Sequence, residues 1–379
     1  MQWCESAGPH AASHGLGLEV SPARRTPISA GGNVWGGGAC CDGPDDCIWH
    51  SSLRCVSMTG MANARVLEQR SGARWRADAA PVVDRRRRLQ LALAALWLLD
   101  GLLQLQPYMF TQDFAFMTLK PVGEGAPGWI ASPVNWTATL VQNHPVALNT
   151  VFALVQVALG IGIAWRSTVK VALAASIAWG CGVWFLGEGL GGLLSGGANP
   201  LTGAPGAALL YALLAVLLWP SENADAFPAA DRIGRRGAQA LWLALWGLLA
   251  FLALLPANRG ADAISQAVTG SDDGAPGWVV WLDDRVGDLT AHRGLVWSVL
   301  LAIAFGLVAL SVFAPRRRIV LAGLIAAFML AAVIWVFGEG FGMPFQGMAT
   351  DPNTGPVLAL LAAAYWPARS RRIAGGGAA

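Results

Sequence analysis

The chain has 379 residues, 55% of them hydrophobic and only 13% charged, with a formal net charge of +3. Soluble globular domains carry about 25% charged residues, so the composition excludes an ordinary water-soluble protein and a disordered one alike. The basic excess does not point to nucleic acid: of 26 basic residues all but Lys120 and Lys170 are Arg, and they gather beside hydrophobic runs, where they orient membrane segments. This Ala-, Gly- and Arg-rich composition is expected of a bacterial chain.

Five of the six cysteines (Cys4, Cys40, Cys41, Cys47 and Cys55) lie near the N-terminus, and Cys181 falls inside a hydrophobic run. Cys41, Cys47, His50 and Cys55 could form a metal cluster, but they lack the paired CxxC spacing of structural zinc sites. Residues 1–57 have no apolar core of a signal peptide and no periodicity. Residues 1–84 are therefore expected to be a disordered cytoplasmic tail or a misannotated extension, with the true start at Met58 or Met61.

Beyond this point the apolar runs are Leu89–Gln106, Val146–Trp165, Val169–Leu186, Ala204–Trp219, Ala238–Leu255, Leu295–Phe313, Ile319–Phe337 and Thr354–Trp366. A run of about 20 residues at 1.5 Å per residue crosses a hydrocarbon core of about 30 Å. The fourth and eighth runs are short and need their Gly- and Pro-containing flanks to complete a crossing. Arg85–Arg88, Arg166, Lys170, Arg232, Arg235, Arg236, Arg316–Arg318, Arg369, Arg371 and Arg372 fall on one side of this pattern. Only Lys120, Arg259, Arg285 and Arg293 fall on the other. The positive-inside rule then predicts a multi-pass plasma-membrane protein with both termini in the cytoplasm.

Landmarks repeat at an offset near 149 residues. GAPGW occurs at Gly125–Trp129 and Gly274–Trp278. Trp97 and Pro107 return as Trp246 and Pro256, and Phe185–Gly191 aligns with Val336–Gly342. Asn199–Gly203 aligns with Asp351–Gly355. The predicted fold is an all-α polytopic membrane protein with eight transmembrane helices in two four-helix repeats, 85–222 and 234–370, followed by a disordered tail, 371–379. Four spans is an even number, so the repeats are parallel, related by an axis along the membrane normal. Each outer loop also predicts an amphipathic helix lying at the interface. Trp129, Ile130, Val134, Trp136, Leu140 and Val141 form its apolar face in the first copy, and Trp278, Trp281, Leu282, Val286 and Leu289 in the second.

With Leu98–Gln104 closing the first helix and Leu159–Arg166 closing the second before a basic turn, the four-span unit resembles the DoxX/DoxD-like membrane family. That resemblance implies a tandem pair of four-helix units and, for some family members, a link to thiosulfate:quinone oxidoreduction. The long outer loop and the GEGxG segment depart from the family pattern.

Candidate chemistry concentrates in the first repeat. Asp100 and Gln104 are spaced i, i+4, and Asn149 and Gln156 i, i+7, so each pair shares a helix face. The aligned positions in the second repeat are Leu249, Ala253, Ser298 and Phe305. Polar groups facing lipid are costly, so the four should face the bundle interior, either as a site for a proton, cation or polar headgroup or as interhelical glue. Glu188 and Glu339 sit at the outer ends of the third spans, each four residues after a Trp. With His144 or His292 they could bind a cation or relay protons; alternatively they cap helix ends. There is no Walker A loop, no CxxC and no His pair within a span, so no cofactor is indicated.

These features point to a non-enzymatic integral membrane protein with a polar site in its first repeat. The alternatives are a proton- or cation-coupled carrier of a small solute and a membrane subunit of a quinone-linked redox complex. The expected partners are the lipid bilayer and a membrane or envelope protein, not nucleic acid.

Overall fold

The computed structural model describes residues 85–222, 227–270 and 274–367. The cysteine cluster, the start-codon reading and the segments 1–84 and 371–379 lie outside the described residues. All regular structure among the described residues is helical. The first half contains α1 (85–103), α2 (Gly128–Asn143), α3 (Pro145–Ala164), α4 (Val169–Leu186) and α5 (Ala207–Leu217). The second contains α6 (Ala230–Ala253), α7 (Ala263–Thr269), α8 (Gly277–Thr290), α9 (Gly294–Ser311), α10 (Arg317–Val333) and α11 (Thr354–Ala364).

Each of the eight apolar runs contains a helix, but the helices differ in length. Five are long and apolar enough to cross a membrane: α3, α4, α6, α9, and α10 with the π-helical turn that extends it to Gly338. The helix α1 is comparable in length, but its first turn is the Arg85–Arg88 cluster. At 11 residues each, α5 and α11 extend only about 16 Å, roughly half a hydrocarbon core. Gly203 and Gly206 before α5, and Asn353 before α11, hold positive-φ backbone, which is why neither helix starts earlier.

The five long helices leave a belt of apolar side chains exposed, among them Leu154, Ile161, Val171, Ile303, Leu307 and Met329. A surface of that kind is untenable in water and natural in a bilayer. Inside, one apolar cluster runs through both halves and includes Leu93, Trp97, Leu173, Leu214, Trp242, Trp246, Phe305 and Leu361. Small residues set the close approaches. A Cβ at Gly160 on α3 would meet Leu98 of α1, and one at Gly180 on α4 would meet the Ala208 carbonyl of α5. In the second half α6 packs along α9, and α10 along α11.

The two halves share backbone detail at related positions. Residues 189–192 all have positive φ, and so do residues 340–343, 151 positions later. Polar bonds tie the halves together. The Arg86 guanidinium pairs with the Asp231 carboxylate and donates to the Ser221 carbonyl at 2.6 Å. Gln106 Nε2 donates to the Ala349 carbonyl (3.2 Å), and Asn258 Nδ2 to that of Ala198 (2.8 Å).

The outer-loop helices exist but use their faces differently from the expectation. In α2 the packed face is Ile130, Val134, Ala138 and Val141, whereas Trp129 and Trp136 point outward, 59% and 63% exposed. In α8 the packed face is Val279, Asp283, Gly287 and Thr290, with Trp278 and Trp281 outward. The predicted apolar stripe is therefore two stripes, one against the protein and one carrying the tryptophans outward. Between α1 and α2 the chain also forms 3-10 turns at Pro107–Phe110 and Lys120–Gly123 and a π-helical segment at Phe114–Leu119. No periodicity announced these.

Candidate functional site

The four polar residues singled out in the first half are all buried: Asp100 (2% exposed), Gln104 (5%), Asn149 (0%) and Gln156 (8%). Asp100, on α1, accepts a hydrogen bond from the Tyr211 hydroxyl of α5 at 2.9 Å. Asn149, on α3, donates through Nδ2 to the Gln104 carbonyl at 2.6 Å and so ties α3 to the end of α1. The side-chain oxygens of Gln104, Asn149 and Gln156 are buried without a hydrogen-bond partner. Three such orphan acceptors in one place are unusual, because a buried polar atom normally finds a partner.

Gln104 and Gln156 line a partly open cavity of about 800 Å³, walled also by α4, the 187–206 segment and residues 350–354. Its charged lining groups are Glu188 and Asp351; none of its lining residues is Lys, Arg or His. Phe152 and Trp179 form an aromatic corner, their rings 5.8 Å apart and inclined at 61°. Asp100 and Asn149 are not on the wall. The equivalent region of the second half is filled: Leu249, Ala253, Ser298 and Phe305 are all buried, with the mutually tilted rings of Trp242 and Trp246 beside Phe305.

Glu188 and Glu339 do the same local job. Glu188 Oε1 accepts from the Ala208 backbone N–H at 3.0 Å and so caps the N-terminus of α5. Glu339 accepts from the backbone N–H groups of Thr354 (2.9 Å) and Gly355 (3.0 Å) and from the Thr354 hydroxyl, closing α11. A carboxylate at a helix N-terminus satisfies orphan donors and complements the helix dipole. Burial raises the Glu188 carboxyl from 4.5 to about 8, with the neighbouring Asp351 adding to the rise and the α5 N–H groups opposing it. Burial likewise raises Glu339 to about 7 against its hydrogen bonds to Thr354 and Gly355. Asp351 is also raised by burial, although the Thr350 hydroxyl and the Asn353 N–H bond it.

The histidines do not join these carboxylates. His144 is exposed at the junction of α2 and α3 and is absent from the cavity wall. His292 pairs with Asp262 at 3.0 Å on the surface. The expectation of a Glu–His cation or proton site is therefore corrected: each glutamate is spent on a helix end, and each histidine sits in a loop outside the cavity. Among the described residues no three His, Cys, Asp or Glu side chains are grouped to hold a metal ion.

Two contributors went unrecognised in the sequence. Tyr211 is the one polar side chain of α5 and could have been flagged for that reason. Asp351 belongs to the second half yet lines the first half's cavity; its replacement of an aligned Asn199 was the visible signal. Comparison of the chain with family models, curated proteins and solved structures returns no match.

Proposed function

We propose that the chain is a non-enzymatic plasma-membrane protein of two parallel four-helix repeats, whose first repeat binds a small polar solute. The single observation that carries this reading is the 800 Å³ cavity, lined by the polar side chains of Gln104, Gln156, Glu188 and Asp351 among apolar and aromatic ones. Ligand sites of this size class combine an apolar lining with a few convergent polar groups, and the filled second half supports duplication followed by loss of one site. The reading is tested with the full chain in nanodiscs, by recording solute-induced thermal stabilisation across amines, polyols and amino acids. Gly182 lines the cavity, and a Cβ there would meet nothing within 4 Å, so Gly182→Leu starts its side chain in open space. Stabilisation by at least one solute in the parent, abolished in Gly182→Leu, is expected. An identical response in the variant would overturn the proposal.

A carrier is the second reading, favoured by the two half-length helices whose N-termini end at buried carboxylates. Broken helices meeting at a polar site are a recurring device of transporters. In proteoliposomes Asp100→Asn is expected to abolish proton-driven uptake of the solute; uptake at the parental rate would remove Asp100 from the coupling role. The DoxX-like, quinone-linked reading rests on the sequence resemblance alone.

A further inference from the structure

We infer that the solute of this cavity is an organic cation carrying an ammonium group with N–H donors. The inference rests on the solute-binding reading above and adds the ligand's chemical class. Three independent features of the wall converge on it. First, the acidic residues lining the cavity are Glu188 and Asp351, with no Lys, Arg or His among the lining residues; burial raises both carboxyls, and a cation bound beside them would favour their ionised forms. An anionic ligand would meet like charge in a low-dielectric enclosure, whereas a cation meets attraction strengthened by the same enclosure.

Second, the open hydrogen-bonding capacity on the wall is mostly acceptor capacity. Among its lining residues Gln104 Oε1, Gln156 Oε1 and Glu188 Oε2 lack donors, against one donor without an acceptor, Trp179 Nε1; all four atoms are covered, so a ligand reaches them by a side-chain turn toward the space. A ligand that brings N–H groups satisfies them, while one that brings only acceptors leaves them orphaned, which is costly. Third, Trp179 and Phe152 present aromatic surface to the same space, and an aromatic face attracts an adjacent cation. The volume decides between an organic and an inorganic cation. At about 800 Å³ the space is many times the roughly 30 Å³ share of a water molecule, far more than a bare ion fills. A molecule with an ammonium head and an apolar body fills it.

Head-group chemistry is isolated with three probes that share one phenethyl body: phenethylammonium, 2-phenylethanol and 3-phenylpropionate. Binding to the full chain in nanodiscs is measured by calorimetry, with empty nanodiscs subtracted. Phenethylammonium is expected to bind at least tenfold more tightly than the alcohol, and the carboxylate not at all. Glu188→Gln keeps an acceptor for the Ala208 N–H while removing the charge, and should weaken ammonium binding by roughly tenfold. Gln156→Leu, distant from the helix cap, should weaken it several-fold. Melting curves verify that each variant is folded. Equal binding of alcohol and ammonium, lost in Gln156→Leu, would overturn the cationic assignment and leave the solute-binding reading standing. Tightest binding of the carboxylate would overturn the assignment outright. Binding of none of the three probes by folded parent protein would overturn the cationic assignment, while the solute-binding reading stands or falls on the stabilisation screen above.

Discussion

Glu339 closes α11 with two backbone N–H bonds and the Thr354 hydroxyl while itself only 4% exposed. Removing the side chain leaves those donors buried and unpaired, so Glu339→Ala should cost about 1–3 kcal/mol, read as a lowered melting temperature in detergent. Glu339→Gln keeps an acceptor and should cost less. The same carboxyl gives a pH signature. Its folded value, about 7, lies above its ordinary 4.5, as does that of Glu188, at about 8. Between those limits the folded chain binds more protons than the unfolded one, so stability is greatest at the acid end and declines as pH rises through the window. Melting temperatures recorded from pH 5 to pH 8.5 should fall steadily. The decline should be shallower in Glu339→Gln and shallower still in the Glu188→Gln, Glu339→Gln double variant, where the raised Asp351 carboxyl remains. A melting temperature that instead rises with pH would contradict the burial of these groups.

At the scale of elements, the helix pairs meet through single small residues. Gly180 of α4 lies against Ala208 and Ala212 of α5, and Gly355 of α11 against Ala331 and Trp335 of α10. The small partner stands on α4 in one half and on α11 in the other, so the same closeness is reached by exchanging which helix is bare. A leucine at Gly180 would press on backbone and not on a movable side-chain tip. Gly180→Leu should therefore separate α4 from α5, with a loss of about 1–3 kcal/mol, whereas Gly182→Leu, one face away, should be neutral or slightly stabilising through helix propensity. The contrast is measured by thermal denaturation of both variants in one detergent.

The long helices were legible in the sequence because a run that must hide its backbone from lipid has to be helical and apolar throughout. The burial of Asp100, Gln104, Asn149 and Gln156 was legible for the same reason: polar groups on such a run turn inward. What these residues bond to was not legible. The Asp100–Tyr211 bond joins positions 111 residues apart, and the cap roles of Glu188 and Glu339 depend on where α5 and α11 start. Those starts are set by positive-φ residues in the preceding loops, Gly203 and Gly206 before α5 and Asn353 before α11, which a hydropathy profile reads only as a short run. The tryptophans of α2 misled because a large apolar residue beside a membrane can face either protein or bilayer, and its spacing along the helix does not say which.

For the whole molecule, the distribution of basic residues makes a claim about orientation that can be tested apart from any ligand. Arg235 and Arg236 follow the break at Gly234 in α6 and are exposed, on the side that also holds Arg85–Arg88 and Arg316–Arg318. Glu124, in the loop between α1 and α2, is exposed at the opposite end of α1. With Arg-rich ends held in the cytoplasm, single cysteines at these two places should behave oppositely toward a membrane-impermeant maleimide. The native cysteines, Cys181 among them, would first be replaced by alanine. In intact cells or right-side-out vesicles Glu124→Cys should label and Arg236→Cys should not; both should label once the membrane is permeabilised. The inverse pattern would turn the molecule over and put the mouth of any carrier pathway on the other side. Labelling of both sites from outside would mean an even number of crossings between them. In that event α5, whose 11 residues fall short of a full bilayer, would be a re-entrant segment, and the parallel relation of the two halves would give way to an inverted one.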